Sequence, residues 1–426
     1  MFSLKSPQAD SIRAQYSTRI AFLIAGFAGA AWAPIIPYVK FRCGLSDAHL
    51  GLLLLCLGAG SIVSMPAAGS LAGRYGCRGI IAIATLAICA ALPVLASSAS
   101  IPLLATALVV FGAGVGTIDC VVNIQAVIVE RACKRTMMSG FHGLFSVGGL
   151  LGAVAVSSLL SLGFSPTITS VSVAALLVLS AILALPGLLT GRTNSEESAS
   201  FVLPHGVVFA IGMMCFIVFL TEGAAIDWSA VFLATSRHID VRYTGLGYVA
   251  FACTMTLGRL SGDYLVNRVS GRFLVTGGSL LAAFGMTLIT VVPIWQLTLF
   301  GYALVGAGCA NVVPILYSAV GRQRYMPEHL AVSAITTLGY SGILAGPAAL
   351  GFIAQITDLS LALAIVGGLL VVVSAMGMQG ARGWCAPRSE WPEQALTVTL
   401  KFVEGEAVEL DGKALPGDQV LAQRNR

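Results

Sequence analysis

The chain has 426 residues, of which 57% are hydrophobic and only 10% charged, with a net charge of +5. A soluble domain carries about 25% charged residues, so this composition excludes a soluble fold and leaves a polytopic membrane protein. The basic residues are scattered between apolar runs, which argues against a nucleic-acid surface, and the ten cysteines show no metal-ligand or paired spacing.

Residues 1–19 are polar and basic and are expected to form a cytoplasmic segment. Twelve apolar spans follow, near 20–39, 48–72, 79–98, 101–130, 138–163, 166–190, 205–234, 244–266, 273–293, 295–320, 331–356 and 359–380. The polar stretch 191–204 is expected to link one six-span bundle, 20–190, to a second, 205–381. Residues 382–426 read as a cytoplasmic tail, where Leu396–Phe402 alternates apolar and polar and Asp411-Gly412 is a turn signal; a small hairpin and a disordered tail both fit.

Lysine and arginine placement sets the expected orientation. With a cytoplasmic N-terminus, Lys5, Arg13, Arg19, Arg74, Arg78, Arg131, Lys134, Arg135, Arg192, Arg268, Arg272, Arg322 and Arg324 fall inside, and Lys40, Arg42, Arg237 and Arg242 outside. Both termini are therefore expected in the cytoplasm.

The chain repeats itself. A shift of 194 positions takes Gly29-Ala-Ala31 to Gly223-Ala-Ala225, Gly51-Leu52 to Gly245-Leu246, Arg74 and Arg78 to Arg268 and Arg272, Gly112 and Gly114 to Gly306 and Gly308, and Gly148 and Gly152 to Gly342 and Gly346. An offset of six spans makes the halves parallel, as in carriers that hold a solute between two bundles. Because the first span recurs in the second half, it is expected to be a true helix rather than a cleaved leader. The repeated glycines read as seams where helices approach closely in lipid.

The fourth span carries Asp119, Asn123 and Glu130. At 100° per residue these lie within about 40° of one another, one polar stripe on a lipid-compatible helix. A carboxylate at membrane depth costs roughly 2.5–3.5 kcal/mol and is tolerated where it faces protein or a water-filled cavity. Asp119 reads as a cavity carboxylate able to carry a proton, with a structural polar network as the plain alternative. Glu130, beside Arg131, reads as part of a gate salt bridge.

The motifs resemble the major facilitator superfamily over residues 15–381. Gly69-Ser-Leu-Ala-Gly73-Arg74-Tyr-Gly76-Cys-Arg78 is similar to that superfamily's loop between the second and third helices, with Gly73 where the family usually has Asp. The second copy, Asp263-Tyr-Leu-Val-Asn267-Arg268-Val-Ser-Gly271-Arg272, keeps a polar residue there as Asn267. More narrowly, Asp119–Arg131, Phe141-His142-Gly143-Leu-Phe-Ser-Val-Gly148, Glu222-Gly-Ala-Ala-Ile-Asp227-Trp228 and Thr336-Thr337-Leu-Gly339-Tyr340 running on to Gly346-Pro347 resemble a bacterial branch that includes a rhizopine transporter. The resemblance implies an all-α fold of twelve transmembrane helices in two parallel-repeat six-helix bundles. It also implies that spans 1, 4, 7 and 10 line the cavity while 3, 6, 9 and 12 are peripheral. The latter four carry no Asp, Glu, Lys, Arg or His in their apolar runs.

The other candidates follow the chain. His142, about a turn into the fifth span, belongs to a residue type that titrates near neutral pH, or it is a neutral imidazole locking a helix pair. Glu222, near mid-membrane on the seventh span, reads as a cation or proton site, with Asp227-Trp228 nearer the outer interface. Arg259 and Asp263, one turn apart on the eighth span, are expected to pair with each other. Arg74, Arg78, Arg131, Arg268 and Arg272 read as gate or structural charges. Trp32, Asn311, Tyr317 and Tyr340 are uncharged candidates that could hydrogen-bond or stack on a polar ligand.

The sequence therefore predicts a bacterial inner-membrane secondary transporter, proton-coupled, that takes a small polar solute, neutral or cationic, without cofactor or metal and as a monomer. A membrane sensor built on a transporter fold is the alternative. No P-loop, metal cluster or nucleophile elbow supports an enzyme.

Overall fold

The computed structural model describes residues 9–45, 47–190, 204–239, 246–323, 326–384, 400–403, 406–410 and 413–414. The linker 191–203, the turn at Asp411-Gly412, and the basic residues Lys5, Arg192, Arg242 and Arg324 lie outside this set. The chain forms two units, one through Cys385 and one from Ala386 onward.

The first unit is all helix. Its first half contains α1 (Ile12–Ala31), α2 (Ile36–Cys43), α3 (Asp47–Tyr75), α4 (Cys77–Ser97), α5 (Ile101–Cys133), α6 (Met138–Ser161) and α7 (Pro166–Ala184). Its second half contains α8 (Gly206–Ser236), α9 (Leu246–Arg268), α10 (Gly271–Val291), α11 (Trp295–Cys309), α12 (Val312–Val320), α13 (Glu328–Ile356) and α14 (Leu359–Trp384). Among the described residues, eleven spans are long and apolar enough to cross a membrane. The expected twelfth coincides with α9, whose 23 residues include Arg259, Asp263 and Arg268. The first helix begins at Ile12, earlier than the apolar run, because the Ser11 side chain accepts the Ala14 N–H and caps it.

Two spans are broken, each at a proline. Pro314 has no N–H to offer the carbonyl of Ala310, and helix α11 gives way to α12 across Ala310-Asn311. Pro34 acts likewise on the first span, where a 3-10 turn, Ala33–Ile35, follows Trp32. Both breaks fall within spans that the family resemblance implies line the cavity.

Packing repeats as the sequence does. In the first half α3 packs on α5, α4 on α5 and α7, and α1 on α6; in the second α9 packs on α11, α10 on α11 and α14, and α8 on α13. The contacts of α4, α7, α10 and α14 stay chiefly within their own halves. The halves meet where α3 packs on α13 and, by the same repeat, α9 on α6.

The seams require glycine. A Cβ at Gly112 would lie 2.0 Å from the Leu57 carbonyl oxygen, and one at the repeat-related Gly306 would lie 2.2 Å from that of Phe251. Lipid gives apolar side chains no drive to leave it, so such backbone-to-backbone contact supplies the association. On the membrane side at which α1 ends, Arg42 donates to the carbonyls of Leu95 and Ser98 at the end of α4, and Arg237 to that of Ile289 at the end of α10. Each arginine thus caps the negative end of a helix.

The second unit holds β1 (Leu400–Val403), β2 (Glu406–Leu410) and β3 (Lys413–Ala414) in one antiparallel sheet in sequence order, with Leu400 opposite Leu410.

Valine at Gly112 or Gly306 is expected to lower the thermal unfolding midpoint of the purified protein, at a cost of about 1–3 kcal/mol or more. Gly29→Ala, whose added Cβ meets nothing within 4 Å, is expected to leave the midpoint unchanged.

Candidate functional site between the two bundles

The central charges come from both halves. Glu222, midway along α8, accepts from an Arg259 Nη of α9 at 2.8 Å. The other Arg259 Nη donates to Ser146 Oγ of α6 at 3.0 Å, so one guanidinium ties its own bundle to the opposite one. The side chains of Arg259 and Glu222 are 6% and 12% exposed. The expected Arg259–Asp263 pair does not form. Arg259 is directed to Glu222, and Asp263 accepts the backbone N–H groups of Ser139 and Gly140 at 3.1 and 3.0 Å. The start of a helix offers unpaired donors and the positive end of its dipole, which supply a partner for Asp263.

Glu130 is also engaged by backbone rather than by its neighbour. One carboxylate oxygen accepts from Met137 and Met138 N–H, each at 2.8 Å. Adjacent residues on a helix point about 100° apart and do not face each other. Arg131 crosses to the other bundle instead, pairing with Glu328 at 2.8 Å and donating to the Gly321 carbonyl at 3.3 Å. The four N–H groups from Met137 to Gly140 are thus shared between two acids, Glu130 from the same bundle and Asp263 from the other.

The repeat-related crossing, α3 on α13, is sealed by smaller groups. Ser333 Oγ donates to the Met65 carbonyl at 2.8 Å. Gly69 faces Ser333, and Gly73 lies against the His329 ring, where an added Cβ would come within 2.7 Å. These crossings, with Arg131–Glu328, lie on the side of the membrane from which α1 starts.

Asp119 is half-buried on α5, within electrostatic reach of Arg259 and Glu222. Among the described residues its carboxylate takes no hydrogen bond or ion pair. Asn123 Nδ2 donates to the Asp119 backbone carbonyl at 2.9 Å, which leaves Asn123 Oδ1 buried without a partner. His142 is buried between the rings of Phe22 and Tyr317, at 5.4 and 5.6 Å, with Nε2 unpartnered, and its carbonyl accepts from Ser146 Oγ at 3.2 Å. Tyr317 bonds Thr336 at 2.8 Å, and both Tyr317 and Tyr340 lie within electrostatic reach of Asp119.

The remaining candidates divide. Asn311, at the break between α11 and α12, donates to the Gly258 carbonyl of α9 at 3.0 Å, and so splints two helices of one bundle. Trp32 is buried at the first-span break with its indole N–H unpartnered. Arg78 and Arg272 donate to the carbonyls of Pro186 and Met378 within their own halves, and Arg74 and Arg268 lie over the rings of Tyr75 and Tyr264. Sequence reasoning missed Ser146 and Glu328. Ser146 lies one helical turn from His142, a spacing that could have found it; Glu328 follows a polar loop and has no local signal.

Two packed sets of membrane-length helices with charged groups at their meeting face are the architecture of a membrane carrier. No family model matches the chain. It is 50% identical over 364 residues to an uncharacterized MFS-type transporter of Yersinia pestis, covering 85% of this chain and 95% of the relative. It is 31% identical over 360 residues to an uncharacterized transporter of Sinorhizobium fredii, with 83% and 95% covered. The fold matches the MFS transporter FucP in its outward conformation with a TM-score of 0.72 at 14% identity, over 87% of this chain and 99% of that one. The chain belongs to the major facilitator superfamily. A 47-residue stretch, 11% of the chain, is also 81% identical to 12% of an argininosuccinate synthase of Xanthomonas campestris.

Two comparisons test this geometry. Glu130→Ala leaves two backbone donors unpaired, at about 1–3 kcal/mol each, and Arg131→Ala strands the Glu328 carboxylate, only 11% exposed; both are expected to lower the unfolding midpoint, whereas Gly29→Ala is not. Glu222→Gln strands a buried guanidinium and is expected to cost about 3–5 kcal/mol. Adding Arg259→Gln should recover part of that loss in a double-mutant cycle.

Proposed function

We propose that this chain is a secondary transporter that moves a small polar solute across the bacterial inner membrane by alternating access, driven by the proton gradient. The observation that carries the reading is the position of Arg259. It joins Glu222 in its own bundle to Ser146 in the other, within reach of an unpaired Asp119. A change in the charge of either acid would alter how firmly the two bundles are held together. With the termini in the cytoplasm, as the basic residues indicate, the seal formed by α3 with α13 and α6 with α9 closes the cytoplasmic side, and this conformation faces outward.

The test is a thermal-shift panel of sugars, polyols, amines and organic cations. A ligand at 100 times its Kd stabilises by about 2.7 kcal/mol. A hit is then followed in proteoliposomes. Gradient-driven flux is expected in the wild type and lost when a protonophore collapses the gradient. It is expected to fall at least tenfold in Asp119→Asn and in the Glu222→Gln, Arg259→Gln double variant. Flux indifferent to the gradient would remove proton coupling, and a bound ligand that never crosses would favour a sensor.

A further inference from the structure

Resting on that reading, we propose that the solute is a neutral, polyhydroxylated molecule whose neighbouring hydroxyls bond Asn123, His142 and Arg259 together. The argument starts from three polar atoms that the protein leaves without a partner. They are Asn123 Oδ1 on α5, His142 Nε2 on α6 and Arg259 Nε on α9. Their residues are exposed by only 1%, 7% and 5%. They belong to one neighbourhood drawn from both bundles. Arg259 is within electrostatic reach of His142 and of Asp119, and Asn123 follows Asp119 by one helical turn. Ser146, which accepts from one Arg259 Nη, follows His142 by one turn.

The three atoms differ in what they lack. Arg259 Nε carries a hydrogen and needs an acceptor, whereas Asn123 Oδ1 needs a donor. The nitrogen of a neutral imidazole takes either role, according to its tautomer. Asp119 beside them adds further acceptor oxygens. The other groups are committed: both Arg259 Nη groups to Glu222 and Ser146, Asn123 Nδ2 to the Asp119 carbonyl, and the Tyr317 hydroxyl to Thr336. The centre therefore requires one ligand both to give and to take hydrogen bonds at adjacent points.

That requirement separates the chemical classes. An ammonium gives three N–H bonds and accepts none, so Arg259 Nε stays unmatched. A carboxylate or phosphate only accepts, leaves Asn123 Oδ1 unmatched and meets Asp119 as a like charge. A zwitterion does both, but sets its anionic end on a single N–H because the Nη groups are taken. A hydroxyl gives one bond and accepts two, so neighbouring hydroxyls on a carbon frame serve all three atoms. They also serve Asp119 in either state, giving to its carboxylate or accepting from its acid. Trp32 Nε1 is a further unpartnered donor, but it stands about 15 Å farther along the first span than Phe22, the ring beside His142. It is outside the reach of a small solute held at this centre.

Isothermal titration calorimetry on the purified full chain tests the proposal. The neutral probes are erythritol, xylitol, mannitol and glucose. The charged probes are butylammonium, butyrate and the zwitterion 4-aminobutyrate. At least one neutral probe is expected to bind, about tenfold or more tighter than every charged one. Three variants each remove one contact. Asn123→Leu removes the acceptor, His142→Phe keeps a ring between Phe22 and Tyr317, and Arg259→Lys keeps a charge for Glu222 but has no Nε. Each is expected to weaken binding about three- to tenfold, the loss of one hydrogen bond. Asp119→Asn is expected to stay within about threefold of wild type, since an amide also gives and takes. Deoxy analogues of the bound probe locate the contact: one of them should bind wild type more weakly than its parent, yet bind Asn123→Leu equally well. The unfolding midpoint of each variant is recorded alongside, and the wild-type comparison needs no variant to fold.

Failure of every neutral probe, a charged probe that binds as tightly, undiminished binding by all three folded variants, or loss of binding in a folded Asp119→Asn would each overturn the proposal. A charged probe that binds and is carried would do so while leaving the transporter reading intact. A polyol that binds through these groups but never crosses in proteoliposomes would uphold the site and overturn the transporter reading. No binding by these probes, together with no hit in the broader panel, would overturn both.

Discussion

The pairing of Arg259 with Glu222 at membrane depth constrains everything around it. Either ion alone in that setting costs several kcal/mol, and removing one partner from a buried pair is worse than never having had the pair. Glu222 and Arg259 therefore fix α8 and α9 in mutual register, and the bond to Ser146 extends that constraint to α6 in the other bundle. Matching these two charges leaves Asp119 as the unmatched one, on a helix of the opposite half. The central site is thus asymmetric within a fold that repeats itself: shifted by 194 positions, Met65 corresponds to Arg259 and Ala28 to Glu222.

The same asymmetry shapes the seal. The two crossings between bundles are related by the repeat, yet one uses a carboxylate on two backbone N–H groups and the other a serine hydroxyl on a carbonyl. Bonds to a charged group contribute about 1.5–3 kcal/mol and neutral ones about 1 kcal/mol. The α6–α9 crossing is therefore the stronger of the two. Arg131–Glu328 adds a bridge between a half-exposed arginine and a nearly buried acid, which depends on that arginine for its charge partner.

Much of this was legible in the chain. The apolar runs, the shift of 194, the stripe of Asp119, Asn123 and Glu130, and the place of Glu222 at mid-membrane all follow from periodicity and the cost of burying charge. What was not legible is partnership. Arg259 and Asp263 stand one turn apart, and the local rule paired them; in three dimensions each found a partner on another helix, Glu222 at 37 positions away and the start of α6 at 123 to 124. Adjacent Glu130 and Arg131 diverge for the same reason. Spacing along one helix says which side chains can meet, but in a bundle the free donors at the end of a neighbouring helix compete for every acid. The eighth span was legible as a helix, although its three charges make it the least apolar of the set.

The start of α6 has one further consequence. Met137 and Met138 give their amide protons to an acid of the same bundle, Ser139 and Gly140 to an acid of the other. If the bundles part as proposed, the first two would remain shielded, while the second two would meet solvent. Four consecutive amides would then act as a built-in clock, the first pair its fixed reference and the second its moving hand, read by deuterium uptake along a single peptide.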